Sequence, residues 1–223
     1  MAVQALLFDF DGTLIDTEAP SYRAWREIYA EHGHDLALER WVSRVGTIGG
    51  FEPLEELEIL TGTELDRGSL DAQRQRRRDE LVEAELLRAG VREYLDDARH
   101  LGLRVGIVTS GPTEWVATHL ERLGEADGWD CIVCADHDAT LAKPAPTLYR
   151  RALAALDVSA AEAVAVEDSP NGVRAAKAAG IFCVAVPNPV TADLDLSEAD
   201  VVVGSLADLP LTDLLSRARR PGG

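Results

Sequence analysis

The sequence predicts a doubly wound α/β fold on a mainly parallel sheet, with an α-helical domain inserted into it. Three observations carry the prediction. Six short apolar runs, Val3 to Phe8, Leu103 to Val108, Asp130 to Cys134, Ala163 to Val166, Ile181 to Val186 and Asp200 to Val203, are near-continuous in Val, Ile, Leu, Ala and Cys. Strands buried on both faces of a parallel sheet read this way. Helical patterns over Thr113 to Leu123, Pro146 to Leu156 and Asn171 to Ala179 separate the later runs, and alternating strands and helices imply a parallel sheet. The interval between the first two runs holds no strand: it reads as helix over Ala19 to His32, Glu39 to Val45, Pro53 to Leu60 and about Leu65 to Arg88.

That interval divides the chain into a core of residues 1–16 and 89–223 and a helical cap of residues 17–88. Ligands of open α/β sheets sit beyond the carboxyl ends of the strands. The insertion leaves from such an end and is therefore placed to act as a lid. The tail from Arg217 onward reads as a frayed terminus.

With 223 residues, 46% hydrophobic and 27% charged, the chain can bury a sizeable core. A formal charge of −17 gives no electrostatic reason to bind nucleic acid or anionic lipid, and it obliges any anionic substrate to find a local cation. The first residues lack a basic leader, and no apolar stretch reaches membrane-spanning length. Three cysteines do not suggest a disulfide framework. The expected setting is the cytoplasm, with no membrane partner. Cys131 and Cys134 lie three apart in an apparent buried strand, so they point to opposite faces and read as core thiols rather than a metal pair.

The chemistry concentrates at strand ends. The first strand runs into Asp9, Phe10, Asp11, Gly12 and Thr13. Two close carboxylates are costly unless a cation or a proton is shared between them, so either a metal binds or one group stays protonated. Gly12 permits a tight turn and close approach to a ligand. A cap cluster at a helix start would also place acids here. The second strand ends in Val108, Thr109, Ser110 and Gly111, offering hydroxyls and amides to an anion, although such residues often serve only as caps. After the third strand, Pro144 keeps Lys143 out of helical geometry at the same edge. The fourth strand ends in Glu167 and Asp168. Hard oxygen donors without histidine or cysteine suit Mg²⁺.

These stretches resemble the haloacid dehalogenase superfamily, in its branch of phosphatases and beta-phosphoglucomutase-like proteins with a Rossmann-like core and a helical cap. The matching segments are Asp9-Phe10-Asp11-Gly12-Thr13-Leu14, the Thr109 strand end, Lys143-Pro144, and Glu167-Asp168-Ser169 through Ala178-Ala179-Gly180. The resemblance implies Asp9 as nucleophile forming an aspartyl phosphate, Asp11 as general acid and base, Lys143 as the cation orienting Asp9, and Thr109 as a phosphoryl contact, with Gly12 and Ser110 beside it. It implies Mg²⁺ held by Asp9, the Asp11 backbone carbonyl and Asp168, with Glu167 ligating through water or supporting the others. The presence of Asp11 disfavours a dehalogenase.

The resemblance extends to Asp16-Thr17-Glu18 and Tyr22-Arg23-Ala24-Trp25, and Gly46 matches a cap glycine. The branch's arginine near Gly49 and histidine near Ser21 are absent here, which favours a phosphatase of a small phosphorylated metabolite, a sugar or polyol phosphate, over a mutase. A non-catalytic phosphate-binding regulator is the alternative from another class. The run Arg74, Arg76, Arg77, Arg78 reads mainly as a solvated helix face, with one or two members at most able to face a site. Arg44 is a further substrate-contact candidate. Trp41, Trp115 and Trp129 read as packing residues. A monomer is expected, because a lid must open and close.

Overall fold

The structure, a computed structural model, describes residues 2–45 and 51–218, without the side chain of Arg44. Six strands, β1 (Ala5–Phe8), β2 (Arg104–Thr109), β3 (Cys131–Cys134), β4 (Ala163–Glu167), β5 (Phe182–Ala185) and β6 (Val201–Val202), form one sheet in the order β3-β2-β1-β4-β5-β6. Every pairing is parallel. The central position of β1 follows from its sequence: Ala5, Leu6, Leu7 and Phe8 are fully buried, which needs apolar cover on both faces.

Alternation along each strand assigns the faces. Leu6, Phe8, Val105, Ile107, Val164 and Val166 join one core cluster with α5 (Val91–His100), α6 (Thr113–Leu123) and α9 (Leu211–Ala218). Ala5, Leu7, Ala163, Ala165 and Cys183 join the other with α7 (Thr147–Ala155) and α8 (Pro170–Ala178). Helices on both faces of a parallel sheet make the architecture doubly wound, as the sequence predicts.

The structure differs from the sequence reading in three places. β3 is an edge strand, so Cys131 and Cys134 are half-buried and Ile132 is 42% exposed; Cys183 is the fully buried thiol. The two β3 cysteines do pack into opposite clusters, and all three cysteines are free. The long helical run ends at Glu83, before Arg88, because the chain then pairs with the segment after β1: Leu87 bridges Ile15 and the Arg88 amide donates to Leu14 O at 2.9 Å. The helices α5 and α9 were not anticipated, although Val91, Tyr94, Leu95 and Ala98 recur at helical spacing on the buried face of α5.

Between β1 and α5 lie α1 (Glu18–Glu31), α2 (Leu38–Trp41), a 3₁₀ turn at Val42–Arg44, α3 (Pro53–Thr61) and α4 (Arg67–Glu83). They pack around a third cluster containing Trp25, Ile28, Tyr29, Leu36, Trp41, Leu57 and Leu70. Val190, from the loop after β5, inserts into that cluster. The polar helix α4 buries only Leu70 and Val82. Hydrogen bonds tie it to α1: Arg77 Nε donates to Glu27 Oε2 at 2.7 Å, and Gln73 Nε2 to Glu31 Oε2 at 2.8 Å. Among the described residues, no helix is long and apolar enough to cross a membrane.

Candidate active site

The carboxyl edge of the sheet brings the predicted residues together. Asp9 follows β1 directly, and its amide donates to Val166 O of β4 at 2.9 Å, which extends the sheet pairing by one step and fixes the carboxylate between two strands. Glu167 ends β4, and Asp168 follows it. Ser169 then caps α8, its hydroxyl accepting from Gly172 N, with Pro170 in the first turn. The backbone thus turns from strand to helix directly after the two acids.

Lys143 reaches this cluster from the loop before α7. It is 1% exposed, and its Nζ lies 2.5 Å from Asp9 Oδ1 and 2.7 Å from Glu167 Oε1. Tyr149 donates its hydroxyl to the same Glu167 oxygen at 2.5 Å. Burial alone would push the Lys143 ammonium down, but the carboxylates of Asp9 and Glu167 outweigh that and hold it above its usual range. Burial pushes Glu167 up to about 7 against the pull of Lys143. Burial also raises Asp9, opposed by Lys143, and raises Asp168 well above the normal range, reinforced by the charges of Asp9 and Glu167.

Three buried carboxylates thus face one ammonium, an arrangement short of positive charge. One oxygen from each of Asp9, Glu167 and Asp168 lies within 4.8 Å of the other two, and Glu167 Oε2 is buried with no hydrogen-bond partner. Crowded hard donors and an orphaned carboxylate oxygen fit a small divalent cation such as Mg²⁺.

Asp11 Oδ1 accepts from Thr17 Oγ1 and Trp115 Nε1, both at 2.8 Å. Its Oδ2 lies 3.4 Å from Thr109 Oγ1. Thr109, the last residue of β2, is 1% exposed, and its hydroxyl accepts from Gly111 N at 2.9 Å. Ser110 Oγ accepts from Lys143 N at 3.1 Å, tying the β2 end to the lysine loop. Gly12 donates its amide to Ile15 O at 2.8 Å, so its visible contribution is the turn. At φ +82°, a Cβ there would lie 2.2 Å from Asp168 Oδ2 and 2.6 Å from Asn188 Nδ2. Gly12→Ala should therefore displace Asp168, lowering kcat/KM by roughly 100-fold and stability by about 1–3 kcal/mol. Steady-state kinetics and thermal unfolding of the variant check this, and near-native activity would contradict it.

A pocket of about 310 Å³ opens over these groups, with Asp9, Asp11, Thr109 and Ser110 in its lining and Trp25, Arg74 and Arg78 contributed by the helical segment. Arg74 and Arg78 are one helical turn apart, so two of the four arginines reach the site. Arg77 is spent on Glu27. Arg74 lies over the Trp25 ring at 5.8 Å, and Arg78 over the Trp115 ring at 4.3 Å. A larger cavity of about 700 Å³ between α4 and α6 shares Arg78 with it but holds none of the strand-end residues, so the chemistry belongs to the smaller pocket. The Arg44 side chain, Gly46 and Gly49 lie outside the described residues.

The sequence reading missed several members. Asn188 donates to Asp168 Oδ2 at 2.6 Å; it stands just past the fifth strand, an end that the strand pattern exposes. Trp115 is a hydrogen-bond donor to Asp11 and not a packing residue alone. Arg88 donates to Gly12 O, Val186 O and Pro187 O, stapling the loop after β1 to the loop after β5. No local motif announces Tyr149 or Arg88.

Fold and site together define an enzyme with a doubly wound α/β core and a lysine-paired carboxylate cluster at the carboxyl edge of its sheet. The haloacid dehalogenase-like hydrolase family description matches residues 3–180. The chain is 43% identical over 213 residues to YhcW of Bacillus subtilis (strain 168), named as a phosphatase, covering 96% of each. It is 32% identical to validoxylamine A 7'-phosphate phosphatase of Streptomyces hygroscopicus subsp. limoneus, covering 91% of this chain and 94% of that one. Among solved structures, a mutant CbbY from Rhodobacter sphaeroides in complex with xylulose-(1,5)bisphosphate superposes with a TM-score of 0.75 at 30% identity, covering 93% of this chain and 96% of that one. The chain belongs to the haloacid dehalogenase-like hydrolase family and is a phosphoric monoester hydrolase.

Proposed function

We propose that the protein is a Mg²⁺-dependent phosphatase of a small phosphorylated metabolite, a sugar or polyol phosphate, working through an aspartyl phosphate on Asp9. The observation that carries this reading is the buried Asp9–Lys143 pair set among Glu167 and Asp168, with Asp11 facing the same pocket. Lys143 keeps Asp9 ionised and aimed. An Asp9 oxygen attacks phosphorus while the bond from phosphorus to the leaving oxygen breaks, and Asp11 delivers a proton to that oxygen. Asp11 then takes a proton from the water that attacks the aspartyl phosphate, releasing inorganic phosphate and restoring Asp9. Thr109 and Ser110 position the phosphoryl oxygens. Asp9, Asp168 and the Asp11 carbonyl, supported by Glu167, would hold Mg²⁺, which supplies positive charge against the transferring group.

In this reading residues 17–88 form the cap over a core of residues 1–16 and 89–223, and the protein works as a cytoplasmic monomer without a nucleic-acid or membrane partner. Arg74 and Arg78 give the cap wall two guanidinium groups, suited to a second anionic group on the substrate. Arg74 and Arg78 also donate to Asp71 and Asp79 on their own helix; a substrate with a second phosphate, like the bisphosphate bound by the similar CbbY, would draw on the same two groups, and this feature supports a sugar phosphomutase as the second reading.

Phosphate release from sugar phosphates, sugar bisphosphates, polyol phosphates, phosphoglycolate and nucleotides, with Mg²⁺ or with chelator, tests the proposal. Metal-dependent release is expected, fastest for a sugar or polyol ester. No release by the folded protein under either condition would overturn it. Product that keeps its phosphate, with activation by a bisphosphate, would identify the mutase.

A further inference from the structure

The Asp11 carboxylate is held asymmetrically. Oδ1 accepts two good hydrogen bonds, from Thr17 and Trp115 at 2.8 Å each, while Oδ2 has one long contact to Thr109 Oγ1 at 3.4 Å. Gly111 keeps the second oxygen uncovered, since a Cβ there would come within 3.0 Å of it. Thr109 and Gly111 both line the pocket of about 310 Å³, so the uncovered oxygen faces the space where a substrate binds. Trp115 stands in the first turn of α6 and is itself braced: His119 meets its ring edge-on at 4.0 Å between centroids, and Arg78 of α4 lies over it at 4.3 Å.

We propose that Trp115 is a positioning residue for the reaction: with Thr17 its indole N–H occupies Oδ1 of Asp11, so that Oδ2 is the oxygen presented to the leaving group. The inference rests on the reading of Asp11 as general acid. In that step the Oδ2–H bond breaks as the leaving oxygen gains its proton and its bond to phosphorus opens, and the indole only orients the donor. Arg78 connects the same indole to α4, so the orientation of Asp11 depends on where that helix sits.

The test uses leaving-group dependence. An alkoxide needs protonation as it leaves and p-nitrophenolate hardly does, so a residue acting through the general acid changes the ratio of the two rates, whereas general damage to the fold lowers both. The quantity is kcat/KM for the best-hydrolysed sugar or polyol phosphate of the panel above, divided by kcat/KM for p-nitrophenyl phosphate. Trp115→Phe should lower this ratio about tenfold, and Asp11→Asn about 100-fold or more. Adding Trp115→Phe to Asp11→Asn should leave the ratio where Asp11→Asn put it, because the indole then has no general acid to orient.

Parallel loss on both substrates in Trp115→Phe, or no loss on either, would overturn the proposal while Asp11→Asn still collapses the ratio. An unchanged ratio in Asp11→Asn would remove the general-acid reading itself, and the proposal with it. Should Trp115→Phe fail to fold, replacing Trp115 by 3-benzothienylalanine removes the N–H and keeps the ring shape, and the same ratio decides.

Discussion

Asp9→Asn should abolish turnover, lowering kcat by roughly 10⁴-fold or more, without loosening the fold. An amide oxygen is a poor nucleophile, so the covalent route closes, whereas the shape of the side chain is kept. Stability should hold or rise, because the substitution removes one of three buried carboxylates while Lys143 keeps Glu167 at 2.7 Å. Burial already strains Asp9 in its charged form. Phosphate release and the thermal unfolding midpoint, measured on the same preparation, check both halves. Turnover above about 1% of wild type would exclude Asp9 as the obligatory nucleophile.

Lys143→Met should show the opposite pairing, with activity and stability both falling steeply. The lysine is 1% exposed and forms ion pairs with two carboxylates that are nearly or fully buried themselves. Removing it leaves those charges uncompensated, which costs about 3–5 kcal/mol in comparable buried pairs. For a chain of this length that corresponds to a fall of roughly 10 °C in the unfolding midpoint. Activity should drop by at least about 100-fold, since the nucleophile loses the cation that aims it and keeps it ionised. A variant with native stability would mean that the two carboxylates tolerate burial without the lysine, and the account of the cluster would need another source of positive charge.

The strand ends were legible because each couples an apolar run to an abrupt polar change. Buried parallel strands need continuous apolar residues, and the first polar side chains after them fall at the sheet edge. Asp9, Thr109 and Glu167 are readable on this ground alone, and Lys143 through its neighbouring proline. Trp115 and Tyr149 were not readable as site members, for a different reason. Each acts through one hydrogen bond to a residue distant in sequence, and no local pattern encodes such a partner. Trp115 serves Asp11 across 104 positions, and Tyr149 serves Glu167 across 18. The basic run on α4 was legible in number but not in identity: helical spacing limits the inward-facing members to one or two, but only the packing of α4 on α1 decides which arginines turn inward. Arg77 goes to Glu27, which leaves Arg74 and Arg78 on the pocket. The two helices passed over, α5 and α9, follow the ordinary amphipathic spacing and could have been found by it.

Val190 bears on how this molecule could be recombined. Its side chain fills the hydrophobic centre of the helical segment, but its position is set from the sheet: Asn188 Oδ1 accepts from Val190 N at 2.8 Å, while the same asparagine donates to Asp168. Asn171, at the start of α8, adds a second tether by donating to Val45 O at 3.0 Å. The helices α1 to α4 are therefore not an independent cassette. A chimera that imports them from a relative without the matching loop around residues 188–191 would open a hole where Val190 sits, and would slacken Asn188 beside the acidic cluster. Grafting for new specificity has to exchange both pieces together, although they lie more than a hundred residues apart in the chain.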